Sequence, residues 1–119
     1  MNWYKQAQSV NDLNERTRLN MQIRKLESIA VKLNYAAKLV YQTQRGAREL
    51  IAPLTSHKTL SSYPIVLDAL AEADSAAMDS PQRFADACFA SIEEISHRIV
   101  KLKKQRRALM HPNNSNKGL

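Results

Sequence analysis

An all-α fold, a helical bundle built on two long antiparallel helices with a short third helix between them, is predicted by three features of the sequence. Apolar residues recur at seven-residue spacing in two separate stretches, one in each half of the chain. A Pro-bounded polar segment and a short acidic one divide these stretches. Only two Gly and four Pro occur in 119 residues, which leaves little room for the turns of a β fold. The length suits one domain with a modest core, placed at residues 1–111, with a disordered tail at 112–119.

The first helix is predicted from about Asn11 to Ala52. Leu19, Leu26, Leu33 and Val40 form one line, and Ile23, Ala30 and Ala37 a second line offset by four. That is an a/d seam sustained for more than three heptads. Asn11 is the expected N-cap, and Pro53 cannot be accommodated further into the helix. Gly46 costs about 1 kcal/mol inside such a helix, so its last turns are expected to fray or kink.

"PLTSHKTLSSYP", residues 53–64, reads as a loop. "IVLDALAEADSAAMD" follows as a short helix carrying Asp68, Glu72 and Asp74. Ser80 then N-caps the second long helix, with Pro81 at the first helical position, where its missing N–H costs nothing. Cys88, Ile95, Leu102 and Leu109 form one seam line of this helix, and Ala85, Ile92, Ile99 and Arg106 the other. It is predicted to end near Met110, ahead of His111-Pro112. Two-residue seams bury little surface, which leaves homo-oligomer formation open.

Charge is partitioned by segment. The chain carries a formal +7, but residues 1–48 hold nine Lys or Arg against Asp12, Glu15 and Glu27, and residues 60–96 hold seven acids against Arg83. No acid follows Glu94. An antiparallel pairing would bring the two basic segments to one pole. Such a field is suited to nucleic acid, an anionic membrane or an acidic protein. No apolar run approaches the roughly 18 to 20 residues of a membrane span, no apolar leader opens the chain, and the single Cys88 cannot form an internal disulfide. A cytoplasmic protein without a membrane partner is expected.

The candidate nucleic-acid-binding residues are these cations. On the outer b and c positions of the first helix stand Arg18, Arg24, Lys25, Lys32, Lys38 and Arg45, with no acid among them. A solvated helix face ordinarily mixes signs through i, i+4 pairs. The row spans about 40 Å, long enough to follow a nucleic-acid backbone. On the last helix, about 100° per residue puts His97, Lys101, Lys104, Arg107 and His111 opposite the seam, while Arg98 and Lys103 flank the core. Cations at a helix C-terminus complement its dipole, but one or two suffice for that. Helical spacing makes packing the first reading of Tyr35, Tyr41, Phe84 and Phe89, and Trp3 and Tyr4 fall in an N-terminal arm. Phosphate contact with weak base preference is therefore expected over base stacking.

Catalysis, a metal and a cofactor are not expected. Glu94 and His97 have the Glu-x-x-His spacing of di-iron bundles, but the first helix offers no Glu on its seam to complete a site. Arg106 and His111 stand at the Arg-x4-His spacing of the helical HEPN ribonucleases. Nine Arg and three His produce one such pair by chance, Arg107 stands where a polar residue is usual, and Arg106 falls on the seam. That resemblance implies an RNA-cutting pair; the residues favour a structural Arg. In size, charge and architecture the chain resembles the small helical subunits of CRISPR effector complexes, which implies a non-catalytic subunit binding DNA or RNA through phosphates beside partner protein subunits. The alternative is a helical adaptor or inhibitor docking its basic surface on an acidic protein, and the remote alternative is a HEPN-like ribonuclease.

Overall fold

The structure, a computed structural model, describes residues 3–110, with side chains from 10 to 109. It consists of α1 (Trp3–Leu39), α2 (Gln44–Ile51), α3 (Pro64–Ala76) and α4 (Pro81–Met110), with two 3-10 turns at Ala52–Ser56 and Lys58–Ser62. No strand occurs among the described residues. The bundle is long and narrow, 65 × 27 × 21 Å. The expected tail at 112–119 and His111 lie outside the described residues.

Helices α1 and α4 are antiparallel. Tyr41, just past the end of α1, donates its hydroxyl to Gln82 Oε1 at 2.9 Å near the start of α4. At the opposite end Arg106 Nη1 donates to Asn20 Oδ1 at 2.8 Å. Helix α4 packs along both α1 and α3, whereas α1 and α3 barely meet. It is the central element.

Most of the predicted seam positions are buried, and Ala30, Ile92, Ile99, Arg106 and Leu109 are half-buried. Leu19, Leu26, Leu33, Val40, Ile23 and Ala37 of the first are enclosed, as are Cys88, Ile95, Leu102 and Ala85 of the second. Each stripe is wider than two residues, however. Ile29 and Ala36 add a third line to α1, and Phe84, Ala87 and Ser91 widen the stripe of α4. A helix that touches two neighbours must bury a broader arc than a two-stranded seam requires. Ser91, the one buried polar residue among those described, satisfies its hydroxyl by donating to Ala87 O at 3.1 Å.

Four expectations about the elements are corrected. Asn11 does not cap α1, which begins at Trp3 and runs through it, so Trp3 and Tyr4 belong to the helix and not to an arm. The first helix does not continue to Ala52: the Leu39 carbonyl accepts both Gln42 N and Thr43 N at 2.8 Å, and Thr43 N-caps a separate α2. Two short helices, α2 and α3, therefore lie between the long ones. The stretch 53–64 is not a plain loop but two 3-10 turns that drive Leu54, Leu60 and Tyr63 into the core. Their hydroxyls hold the turns, with Thr55, Ser56 and Ser61 each donating to the carbonyl three residues back. Ser80 caps α4 as predicted, its Oγ accepting Arg83 N at 3.1 Å.

Candidate nucleic-acid interface

The Asn20–Arg106 hydrogen bond sets the first part of α1 beside the last turns of α4. Arg16, Arg18, Arg24 and Lys25 thus share one pole of the bundle with Arg98, Lys101, Lys103, Lys104, Arg106 and Arg107. Asp12 and Glu15 are the acids in these two stretches. The acidic α3 packs toward the other end of α4, where Arg83 pairs with Glu72 and Arg48 Nε meets Asp74 Oδ1 at 2.9 Å. Near the start of α4 the acids of α3 pair with Arg83 and Arg48, whereas at the basic pole only Arg18 and Arg98 have a carboxylate at ion-pair distance among the described residues.

All six outer cations of the first helical stretch, Arg18, Arg24, Lys25, Lys32, Lys38 and Arg45, are exposed. They are not all without counter-charge. Arg18 pairs with Glu15, holding that carboxyl below its ordinary range, and its Nη1 also donates to Gln22 Oε1 at 3.4 Å. The other five have no carboxylate at ion-pair distance among the described residues. The break after Leu39 places Arg45 on α2, off the axis of the row.

On α4, Lys101, Lys104 and Arg107 are exposed and Lys103 is half-buried. Arg98 is turned inward. Its Nε donates to Glu94 Oε1 at 3.0 Å, and its guanidinium carbon lies 5.5 Å from the centre of the Tyr63 ring. The Tyr63 hydroxyl accepts from Gln22 Nε2 at 2.6 Å, so Glu94, Arg98, Tyr63, Gln22, Arg18 and Glu15 form one polar chain across the bundle. Arg98 serves the interior of the fold more than its surface.

Three of the four aromatics expected to pack are corrected. Phe84 is packed in the core, but Tyr35, Tyr41 and Phe89 are 60%, 59% and 47% exposed. Tyr35 sits between Lys32 and Lys38 on α1, so cations and an aromatic face do occur together. The seam lines themselves place Tyr35 opposite the core, about 200° around the helix from Leu33 and from Ala37, so its exposure follows from the heptad. Tyr41 and Phe89 lie one step from the seam residues Val40 and Cys88, where a small turn of the helix decides the outcome.

A further feature was invisible in the sequence. The second 3-10 turn faces α1 across an open cleft of about 480 Å³. Arg18, Met21, Gln22 and Lys25 line one wall, and His57, Lys58, Thr59 and Ser62 contribute to the other. Lys58 stands apart from every basic cluster in the chain, so only the folding of the turn brings it to a cleft shared with Arg18 and Lys25.

Among the described residues no three His, Cys, Asp or Glu side chains are grouped to hold a metal ion, and Glu94 is engaged by Arg98 and not by His97. Cys88 is fully enclosed, and burial pushes its thiol up to about 12. Arg106 is held by Asn20, while His111, the other half of the Arg-x4-His spacing, lies outside the described residues. No described helix is long and apolar enough to cross a membrane. Compared with known protein families, curated proteins and solved structures, the chain matches none.

Proposed function

We propose that the chain is a non-catalytic helical subunit that binds nucleic acid through its phosphates, centred on the basic pole, within a larger nucleoprotein assembly. The observation that carries this reading is the Asn20–Arg106 hydrogen bond, which brings two basic segments together although their like charges repel. One or two cations at the end of α4 complement its dipole, but gathering ten at one end adds like-charge repulsion that a bound polyanion would relieve. Lys101, Lys103, Lys104 and Arg107, with Arg24, Lys25 and Lys32, are the phosphate contacts of this reading, and Arg18, paired with Glu15, adds little net charge beside them. Base-edge readers are not evident, so sequence preference is weak. Exposed Val31, Phe89 and Val100 supply apolar surface for partner subunits.

Salt dependence tests it. If four to six cations neutralise phosphates, log K against log salt falls with a slope of about −3.6 to −5.4 on duplex DNA and about −2.8 to −4.2 on single strands. Scrambling the base sequence is expected to change affinity little. A slope near zero, or binding that depends steeply on base order, overturns the reading. Clean protein that ignores nucleic acid but captures an acidic partner would favour the adaptor alternative.

A further inference from the structure

The cleft between α1 and the second 3-10 turn differs from the diffuse field around it, because its charges converge from two elements onto one open concavity. Lys25 and Lys58 face it from opposite walls, and neither has a carboxylate at ion-pair distance among the described residues. Arg18 stands on the same side as Lys25 but is held by Glu15 and Gln22, which fixes its position. No acidic side chain lines the cleft.

Hydrogen-bond donors accompany the charges. Thr59 and Ser62 line the wall, and neither hydroxyl has a protein partner among the described residues, whereas neighbouring Ser61 donates to Lys58 O at 2.7 Å. His57 Nδ1 accepts from Thr59 N at 3.2 Å. That bond requires the neutral ring to carry its proton on Nε2, leaving an N–H donor. Met21, 54% exposed, supplies an apolar and adaptable surface beside them.

We propose that this cleft binds a phosphate monoester of mononucleotide size, with Lys25 and Lys58 gripping the dianion from two sides, Thr59 and Ser62 donating to its oxygens and Met21 taking the apolar face of the attached group. The chemistry of the walls selects this class. A phosphate monoester carries close to two negative charges at neutral pH and three strong acceptor oxygens, matching two ammonium groups and several hydroxyl donors. Lys commonly binds phosphate as a point charge. A volume of about 480 Å³ exceeds what a bare phosphate needs and lies in the range of small-molecule sites. The inference does not rest on the duplex-binding reading, since Lys58, Thr59 and Ser62 lie outside the surface assigned to it; Arg18 and Lys25 alone are shared.

Amide chemical-shift titration of the full chain with AMP and with adenosine provides the test. AMP is expected to shift the amides of Lys25, Thr59 and Ser62 saturably, and adenosine is expected not to. Lys58→Ala, at an exposed position, should weaken AMP binding about tenfold or more. Lys38→Ala removes the same charge away from the cleft and should leave it unchanged. AMP that moves none of these amides, adenosine that binds as well as AMP, or equal weakening by the two Lys substitutions would each overturn the proposal. The salt slope on duplex DNA should persist in Lys58→Ala, so loss of the cleft and loss of the pole are read separately. Oligonucleotides with a 5′-phosphate or a 5′-hydroxyl identify the source: a gain from the phosphate points to a strand end, and no gain, with AMP still bound, to a free nucleotide.

Discussion

Thr43 is extended (φ −148°, ψ 108°), and its hydroxyl accepts the Gly46 N–H at 3.1 Å. A Cβ on Gly46 would lie 2.7 Å from Thr43 Cγ2, closer than real atoms approach. Gly46 is therefore not simply a weak point in a long helix; it makes room for the cap that begins α2. Ala would add helix propensity, worth up to about 1 kcal/mol, but would displace a cap worth about the same. In the background of Thr43→Ser, which keeps the hydroxyl and removes the methyl, that conflict largely disappears. Gly46→Ala should therefore be less favourable beside Thr43 than beside Ser by about 1 kcal/mol, read from denaturant unfolding of the double-mutant cycle. Additive effects would mean that the cap tolerates the methyl.

Among the elements, the long helices were legible because a period of seven survives in a sequence without knowledge of any partner. Leu26 and Leu33 on α1, and Cys88 and Ile95 on α4, are fully buried where that period puts them. What the period could not show is how many neighbours each helix has, so Ile29, Ala36 and Phe84 were left off the stripes. The 3-10 turns were missed for a related reason: Leu54 and Leu60 reach the core from segments of five residues, too short to express any period. The candidate site divides in the same way. Its rows of exposed cations follow from helical geometry, whereas the Glu94–Arg98–Tyr63 contact and the approach of Lys58 to Lys25 need the folded chain. Leu26→Ala or Ile95→Ala should lower stability by about 2 to 5 kcal/mol, measured by thermal or denaturant unfolding. Arg24→Glu, Lys25→Glu and Lys32→Glu together should leave helicity by circular dichroism near wild type while weakening polyanion binding. Thermal silence at Leu26, or collapse of the charge-reversed variant, would show that the faces have been exchanged.

For the whole molecule, the question is whether net charge or its placement governs binding. Lys101 and Lys104 lie on the pole made by the Asn20–Arg106 contact, whereas Lys38 and Arg45 flank the far end of the α1–α4 pair, near the Tyr41–Gln82 hydrogen bond. Residues 82 and 101 are about 30 Å apart along α4, several times the screening length of about 8 to 10 Å at ordinary salt. Either pair of Lys/Arg→Ala substitutions removes two charges, so a mechanism that depends on net charge alone predicts equal effects. A mechanism based on local phosphate contact does not. Lys101→Ala with Lys104→Ala should flatten the log–log salt slope on duplex DNA by about 1.8, two contacts' worth of released counterions. Lys38→Ala with Arg45→Ala should flatten it by well under half as much. Equal flattening would place the phosphates along the length of α1 instead of at the pole, and the longer row of cations, with exposed Tyr35 among them, would then be the binding surface.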